Sequence, residues 1–235
     1  MKVVILAGGR GTRAYPYTEY LPKPMMPVGG KPIVARVMEI FARQGITDFI
    51  LSVGYRKETI LDYFESRRSN WHVTIKDTGE ESDTGARIKR CSNLLSETFM
   101  ATYSDGICDV DLASLLAFHR SHPGLATITS VPLISQYGTI EADESGRIFG
   151  FQEKPTLRDR WINAGFFVFE PDVFKSWHGE NLEREVFPAL SQQGQVYTYR
   201  HNGFFKSMDT HKDQQDLERI YEEGKLPWLQ QTAAA

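Results

Sequence analysis

A short apolar run, Val3 to Ala7, ends abruptly in Gly8-Gly9-Arg10-Gly11-Thr12-Arg13, and prolines follow at 16, 22, 24 and 27. A buried β-strand can end in this way. No ordinary helix can start there, because proline removes a backbone donor and clashes with the turn before it. The glycines let backbone N–H groups approach an oxyanion, and Arg13 adds a charge able to bind it bidentately. The segment therefore reads as a phosphate loop, and two common kinds are excluded. Gly9-x-Gly11-x-x-Ala14 has the spacing of the dinucleotide fingerprint, which also needs a helix directly after it and an acid about 20 positions on. The chain offers prolines and Gly29-Gly30-Lys31-Pro32 instead. A Walker A loop needs Ser or Thr after its lysine, where Pro32 follows Lys31. A glycine turn with no ligand is the bland alternative. Lys23 between Pro22 and Pro24 argues against it, since a lysine held in place by prolines implies an anion held in place too.

The rest of the chain alternates apolar runs with amphipathic stretches, as βα units do. Strands are expected near 2–6, 48–53, 72–76, 98–103 and 125–131, with helices near 32–44, 57–65, 84–95 and 111–121. This is an α/β pattern with a mostly parallel sheet covered on both faces. After about 137 the texture becomes β-rich, with strands near 138–142, 147–152, 162–169 and 195–200. Helical patterns follow near 172–177, 182–190 and 210–224. No Gly/Ser linker or charge block separates the two halves, so one domain over 1–230 is expected, with halves at about 1–136 and 137–230 and a tail at 231–235. The aromatic run Phe166-Phe167-Val168-Phe169 reads as a buried strand, and the four tryptophans as core or interface anchors.

Composition excludes several classes of function. A net charge of -3 gives no basic field for nucleic acid or an anionic membrane surface. A hydrophobic content of 41% excludes intrinsic disorder, and no apolar run reaches the roughly 20 residues of a spanning helix. Two cysteines, Cys91 and Cys108, make neither a disulfide framework nor a zinc set. With an opening apolar run too short for a signal peptide, a reduced, cytoplasmic setting is expected. His119 and His122 share a helix face without carboxylate or cysteine company and read as structural.

Taken whole, LAGGRGTR followed by LPKPMMPVGGKPI resembles the signature of the sugar-1-phosphate nucleotidylyltransferases over about 30 residues. The resemblance continues through Tyr103-Ser104-Asp105-Gly106, Phe151-Gln152-Glu153-Lys154-Pro155, Ile162-Asn163-Ala164-Gly165 and Ser207-Met208-Asp209-Thr210. Asp77-Thr78-Gly79, Thr84-Gly85-Ala86-Arg87 and the Gly224-Lys225-Leu226-Pro227-Trp228 end look like the glucose-1-phosphate cytidylyltransferases. One departure is a missing insertion: that family has a longer segment where this chain has only Glu65 to His72. The resemblance implies a Rossmann-like, mostly parallel mixed sheet flanked by helices, the nucleotide-diphospho-sugar transferase fold, with a small β-rich sugar-binding lobe. It implies CTP and a hexose-1-phosphate, glucose-1-phosphate first, as substrates, giving a CDP-sugar and pyrophosphate for polysaccharide precursors. GTP with mannose- or heptose-1-phosphate is the alternative chemistry, and a catalytically silent regulatory relative is the alternative class. Partners are then small molecules, with no nucleic acid or membrane, and a homo-oligomer is expected.

Such a transfer brings a sugar phosphate, close to dianionic at neutral pH, against the α-phosphate of a triphosphate, so catalysis is positioning and charge neutralisation. On the resemblance, Leu6, Ala7, Gly8, Gly9, Gly11, Thr12 and Arg13 hold the nucleotide, with Arg13 on the leaving phosphates and Lys23 near the α-phosphate. Ser82, Thr84, Gly85 and Arg87, with Ser104, complete the nucleotide site, the first four reading the base. Asp105 and Asp209, each at the end of an expected strand, are the ligands for Mg²⁺, which takes one or two carboxylates besides phosphates and water. Gly138, Glu153, Lys154, Asn163 and Gly165 form the sugar-phosphate side, with Lys154 on the phosphate. Arg13, Lys23, Asp105 and Asp209 are the catalytic set.

Overall fold

In the computed structural model, which describes residues 1–14, 17–66 and 69–229, the opening apolar run forms β1 (Lys2–Ala7). Its alternate side chains feed two cores: Val3, Ile5 and Ala7 one, Val4 and Leu6 the other. Burial on both faces is what a continuous apolar strand in a parallel sheet needs. After a hairpin of two-residue strands, β2 (Pro27–Val28) and β3 (Lys31–Pro32), come α1 (Ile33–Ala42), β4 (Asp48–Val53), α2 (Lys57–Glu65), β5 (His72–Asp77) and α3 (Thr84–Lys89). β6 (Phe99–Tyr103), β7 (Gly106–Cys108), α4 (Leu112–Arg120), β8 (Ala126–Ile134), β9 (Thr139–Ala142), β10 (Ile148–Gln152) and β11 (Thr156–Phe169) follow. The chain closes with α5 (Phe187–Gln192), β12 (Val196–Arg200), β13 (Phe205–Ser207) and α6 (His211–Glu222).

Seven strands form one sheet in the order β12-β8-β11-β6-β1-β4-β5, in which β11 alone runs against its neighbours. The sheet is thus mixed and mostly parallel, and it draws strands from both halves of the sequence. Phe166 and Val168 point to one core, Phe167 and Phe169 to the other, as the aromatic run predicts. Trp177 and Trp228 are buried anchors. His119 is a core histidine, its ring hydrogen-bonded to Thr127 and Glu170.

Several elements differ from expectation. α3 stops at Lys89 and gives way to a 3-10 turn, Ser92–Leu94, because Ser92 and Asn93 are poor helix residues whose side chains compete for backbone groups. The expected helix at 172–177 is likewise a 3-10 turn, Pro171–Ser176. That at 182–190 begins as a π turn, Leu182–Val186, since Pro188 has no N–H to bond one turn back. β11 starts six residues early, at Thr156; Thr156 and Leu157 pair with Ile134 and Leu133 of β8, and the Arg158-Asp159-Arg160 stretch, which carries no apolar alternation, falls where the register shifts. The expected tail, 231–235, lies outside the described residues. The β-rich lobe comprises the β9–β10 hairpin and the outer ends of β8 and β11, and none of residues 132–163 is buried.

Candidate active site

The loop after β1, the turn between β6 and β7, the loop before α3 and the segment after β13 meet around a cleft of about 640 Å³. It opens at the carboxyl end of the parallel strands, where open α/β sheets bind their ligands. Lys23 lies against its floor in a 3-10 turn, Lys23–Met25, with Pro22 setting the entry and Pro24 the turn itself. Only 7% of the residue is exposed. Gly11, at φ +63, stands where a Cβ would come within 2.6 Å of the Lys23 Cβ, so the loop can cross the lysine only as glycine.

Four charges are linked in one chain. The Lys23 ammonium bonds to the Asp105 carboxylate and, at 2.7 Å, to Asp209 Oδ1, which also takes the Arg13 guanidinium at 2.9 Å. Burial raises the Asp105 carboxyl above its ordinary range; the Lys23 charge opposes this and the Asp209 charge adds to it. The residues proposed from sequence as catalytic are therefore together, although Arg13 and Asp209 are almost the whole chain apart.

Asp105 and Asp209 already converge on a shared cation, the Lys23 ammonium. Two hard carboxylate oxygens facing a phosphate loop suit Mg²⁺, which takes its remaining ligands from phosphate and water. The softer trio of Cys108, Asp109 and His201 lies elsewhere. There His201 Nε2 and Asp109 Oδ1, 2.6 Å apart, tie the segment before β13 to the end of β7.

Of the residues expected on the nucleotide side, Leu6, Gly9, Gly11, Arg13, Ser82, Thr84, Arg87 and Ser104 line the cleft, whereas Ala7, Gly8, Thr12 and Gly85 do not. Arg87 departs from its expected role as a base reader. Its guanidinium donates to Gly8 O, Glu80 O, Val53 O and Thr78 Oγ1, so it braces the glycine loop against the loop before α3. The hydroxyls are engaged too: Ser82 donates to Thr78 O, and Thr84 Oγ1 donates to Glu183 Oε2 at 2.8 Å. The side chains expected to read a base on this face are thus bonded within the protein.

On the sugar side, Asn163 lines the cleft, its Oδ1 accepting from Gly165 N at 2.8 Å. Gly165, at φ +79, makes room for the Tyr103 ring, which would lie 2.3 Å from a Cβ there. Lys154 does not reach the cleft. It lines a neighbouring cavity of about 880 Å³ with Arg158, Lys206 and Lys212, and the two cavities share Ile162, Phe205 and Ser207. Gly138 and Glu153 line neither; the Phe151 ring and the Glu153 carboxylate lie against Gly138. Lys154 holds φ at +46, a costly conformation outside glycine that is common at functional positions.

Tyr103 and Glu183 also line the cleft and were not foreseen as functional. The Tyr103 hydroxyl donates to Glu183, and burial together with that carboxylate pushes its pKa up. Tyr103 stands inside the Tyr103-Ser104-Asp105-Gly106 motif, which was the available signal. Glu183 has none, since its partners lie 80 and 99 residues away.

Comparison with known proteins agrees with this geometry. The family model described as nucleotidyl transferase matches residues 2–207. A glucose-1-phosphate cytidylyltransferase of Salmonella typhi is 37% identical over 254 aligned positions, covering 97% of this chain and 98% of the relative. The alignment is longer than this chain of 235 residues, so the relative carries residues opposite gaps here. The catalytic subunit beta of a mannose-1-phosphate guanylyltransferase from Dictyostelium discoideum is 34% identical over 91% of this chain and 62% of its own length. Among solved structures, HddC from Yersinia pseudotuberculosis superposes with a TM-score of 0.73 at 24% identity, covering 94% of this chain and 99% of that one, a likeness of fold. The family match starts in β1, takes in the phosphate loop and Asp105, and ends at Ser207 beside Asp209, so the chain that builds this cleft belongs to the nucleotidyl transferase family.

Proposed function

We propose that the protein transfers a cytidylyl group from CTP to a hexose-1-phosphate, glucose-1-phosphate first, releasing pyrophosphate and a CDP-sugar. The carrying observation is the chain of charges Arg13, Asp209, Lys23 and Asp105 beside the glycine loop. The near-full-length likeness to a glucose-1-phosphate cytidylyltransferase supports the choice of base and sugar. A reading with GTP and mannose-1-phosphate has the 34% relative in its favour, but that relative extends well beyond this chain.

In the proposed reaction a phosphate oxygen of the sugar-1-phosphate attacks the α-phosphorus, and the bond from that phosphorus to the oxygen bridging to the β-phosphate breaks in line. Pyrophosphate leaves with that electron pair. No base is required, because the nucleophile is already an anion at neutral pH. The glycine loop orients the triphosphate through its N–H groups, Arg13 neutralises the leaving phosphates, and Lys23 stabilises charge at the α-phosphate. Asp105 and Asp209 would hold Mg²⁺, which when bound neutralises phosphate charge. Lys154, across the shared wall of the two cavities, meets the acceptor phosphate. The cell compartment proposed is the cytoplasm, where nucleoside triphosphates are available, and the product fits polysaccharide synthesis.

The test is pyrophosphate release over a matrix of four NTPs and several sugar-1-phosphates, with and without Mg²⁺. CTP with glucose-1-phosphate is expected to give the highest kcat/KM, and turnover only with GTP would replace the cytidylyl reading by the guanylyl one.

A further inference from the structure

β11 is irregular where it passes the cleft. Its ladder with β8 pairs Asn163 with Ser130 and resumes only at Phe167, and Gly165, inside that gap, holds φ at +79. A bulge of this kind re-aims side chains and leaves other contacts to hold them. Asn163 Oδ1 accepts from Gly165 N at 2.8 Å, which sets the way the amide faces and turns its Nδ2 toward the Tyr103 hydroxyl, 3.4 Å away. That hydroxyl has two partners among the described residues: it accepts from Asn163 and donates to the Glu183 carboxylate. Burial beside that carboxylate pushes the Tyr103 pKa up, so the hydroxyl remains the donor. The Tyr103 ring fills the notch that Gly165 leaves and meets the Phe167 ring edge-on at 5.6 Å.

The far end of this chain of bonds is fixed. Glu183 stands in the π turn Leu182–Val186, whose start is capped by Asn181 Oδ1, accepting from Glu183 N at 3.1 Å and from Arg184 N at 2.7 Å. Isolated π turns are frequent at functional sites. The Glu183 carboxylate also accepts from Thr84 Oγ1 at 2.8 Å, so one acid joins the start of α3 to the irregular part of β11. The two sides do not depend on it equally. α3 has three further ties to the same segment, Leu182 N to Thr84 Oγ1, Ala86 N to Glu180 O and Asn181 Nδ2 to Asp83 Oδ2, at 2.8–2.9 Å. Among the described residues the Tyr103 hydroxyl has Glu183 as its one acceptor. Loss of the carboxylate therefore releases the β11 side and leaves α3 in place.

We propose that Glu183 is a positioning residue for the acceptor substrate: it holds the Tyr103 hydroxyl with its proton turned away from Asn163, so that the oxygen accepts from the amide and Asn163 stays aimed into the cleft. This role rests on reading that side of the cleft as the sugar-1-phosphate's.

Glu183→Ala and Tyr103→Phe each break the chain of bonds. Tyr103→Phe keeps the ring in its notch and Glu183 is exposed, so both variants should fold, which circular dichroism checks. With the substrates that the natural protein turns over, each variant should raise KM for the sugar-1-phosphate about tenfold, as expected for one lost hydrogen bond to a charged group, and leave the nucleotide KM within about twofold. Because the two residues act in series, the double variant should be no worse than the more affected single one. Equal rises in both KM values, or single effects that multiply in the double variant, overturn the proposal. Titration calorimetry with sugar-1-phosphates separates this role from the reaction itself. A natural protein that binds none of them overturns the reading of the reaction and this role with it, whereas binding that the folded variants leave unchanged overturns this role alone.

Discussion

The Arg87 guanidinium donates to the carbonyl oxygen of Gly8 at 2.9 Å, joining two loops 79 residues apart in sequence. Gly8 is fitted to it, since a Cβ there would lie 1.9 Å from Arg87 Nη1. The charge is buried and is met by four backbone or hydroxyl oxygens, and burial lowers its pKa from the ordinary guanidinium value. Lysine cannot span that fan of acceptors. Arg87→Lys should therefore leave buried acceptors unpaired, at about 1–3 kcal/mol each, and lower the melting temperature by several degrees. It should also raise KM for the nucleotide more than for the sugar phosphate, because the loop it braces is the one proposed to hold the nucleotide. Equal KM effects on both substrates would assign Arg87 to stability alone.

A second prediction concerns pH. A carboxyl whose pKa is raised on folding binds its proton more tightly in the folded state, so Asp105 costs stability increasingly as pH climbs from the ordinary carboxylate value of about 4 through its raised folded value. Asp105→Asn removes that cost. The variant should melt higher than the natural protein at pH 7, with the difference fading toward about pH 4, and it should lose at least roughly 100-fold in kcat. A melting difference independent of pH would show that Asp105 ionises in the folded protein as it does unfolded.

The lysines should separate kinetically. Lys23 is buried between Asp105 and Asp209, where the proposed reaction puts the transferring phosphate, and Lys154 is in the neighbouring cavity. Lys23→Ala should reduce kcat by about 10²–10³, since its charge matters most in the transition state. Lys154→Ala should raise KM for the sugar phosphate and leave kcat close to that of the natural enzyme. Nucleotide KM changes alone in both variants would contradict the division.

The same residues show what sequence can and cannot reveal. Lys23 was legible because Pro22 and Pro24 fix it locally, and Asp105 and Asp209 because each ends a strand segment inside a short motif. β1 and the Phe166–Phe169 strand were legible because burial on both faces leaves an unbroken apolar run. Arg87 was misread because a basic run at the start of a helix looks the same whether it faces ligand, solvent or a buried fan of carbonyls. Glu183 was invisible, since its meeting with Tyr103 and Thr84 depends on the packing of a helical segment, not on spacing. The outer half of β11 was hidden for the opposite reason: exposed on both faces, it carries no alternation to read.

The last prediction concerns the choice of base. With the Ser82 and Thr84 hydroxyls and the Arg87 guanidinium engaged within the protein, a nucleobase bound as proposed would meet mainly backbone donors and acceptors on this side of the cleft. Such groups cannot rotate to suit a different edge. Cytosine offers an exocyclic amine as donor with O2 and N3 as acceptors, while uracil replaces the amine by a carbonyl and N3 by a donor. A backbone surface matched to cytosine therefore leaves two groups unpaired against uracil, at about 1–3 kcal/mol each. Two such losses correspond to roughly 30-fold or more in kcat/KM in favour of CTP over UTP, since about 1.4 kcal/mol is a factor of ten. Because Arg87 holds the Gly8 and Glu80 carbonyls in place, Arg87→Lys should also erode this ratio. A hydroxyl-based reader would instead lose discrimination in Ser82→Ala and Thr84→Ala. Measuring the CTP to UTP ratio in the natural protein and these three variants decides between the two arrangements: retention of the ratio in Arg87→Lys with its loss in Ser82→Ala would rule out reading by a braced backbone.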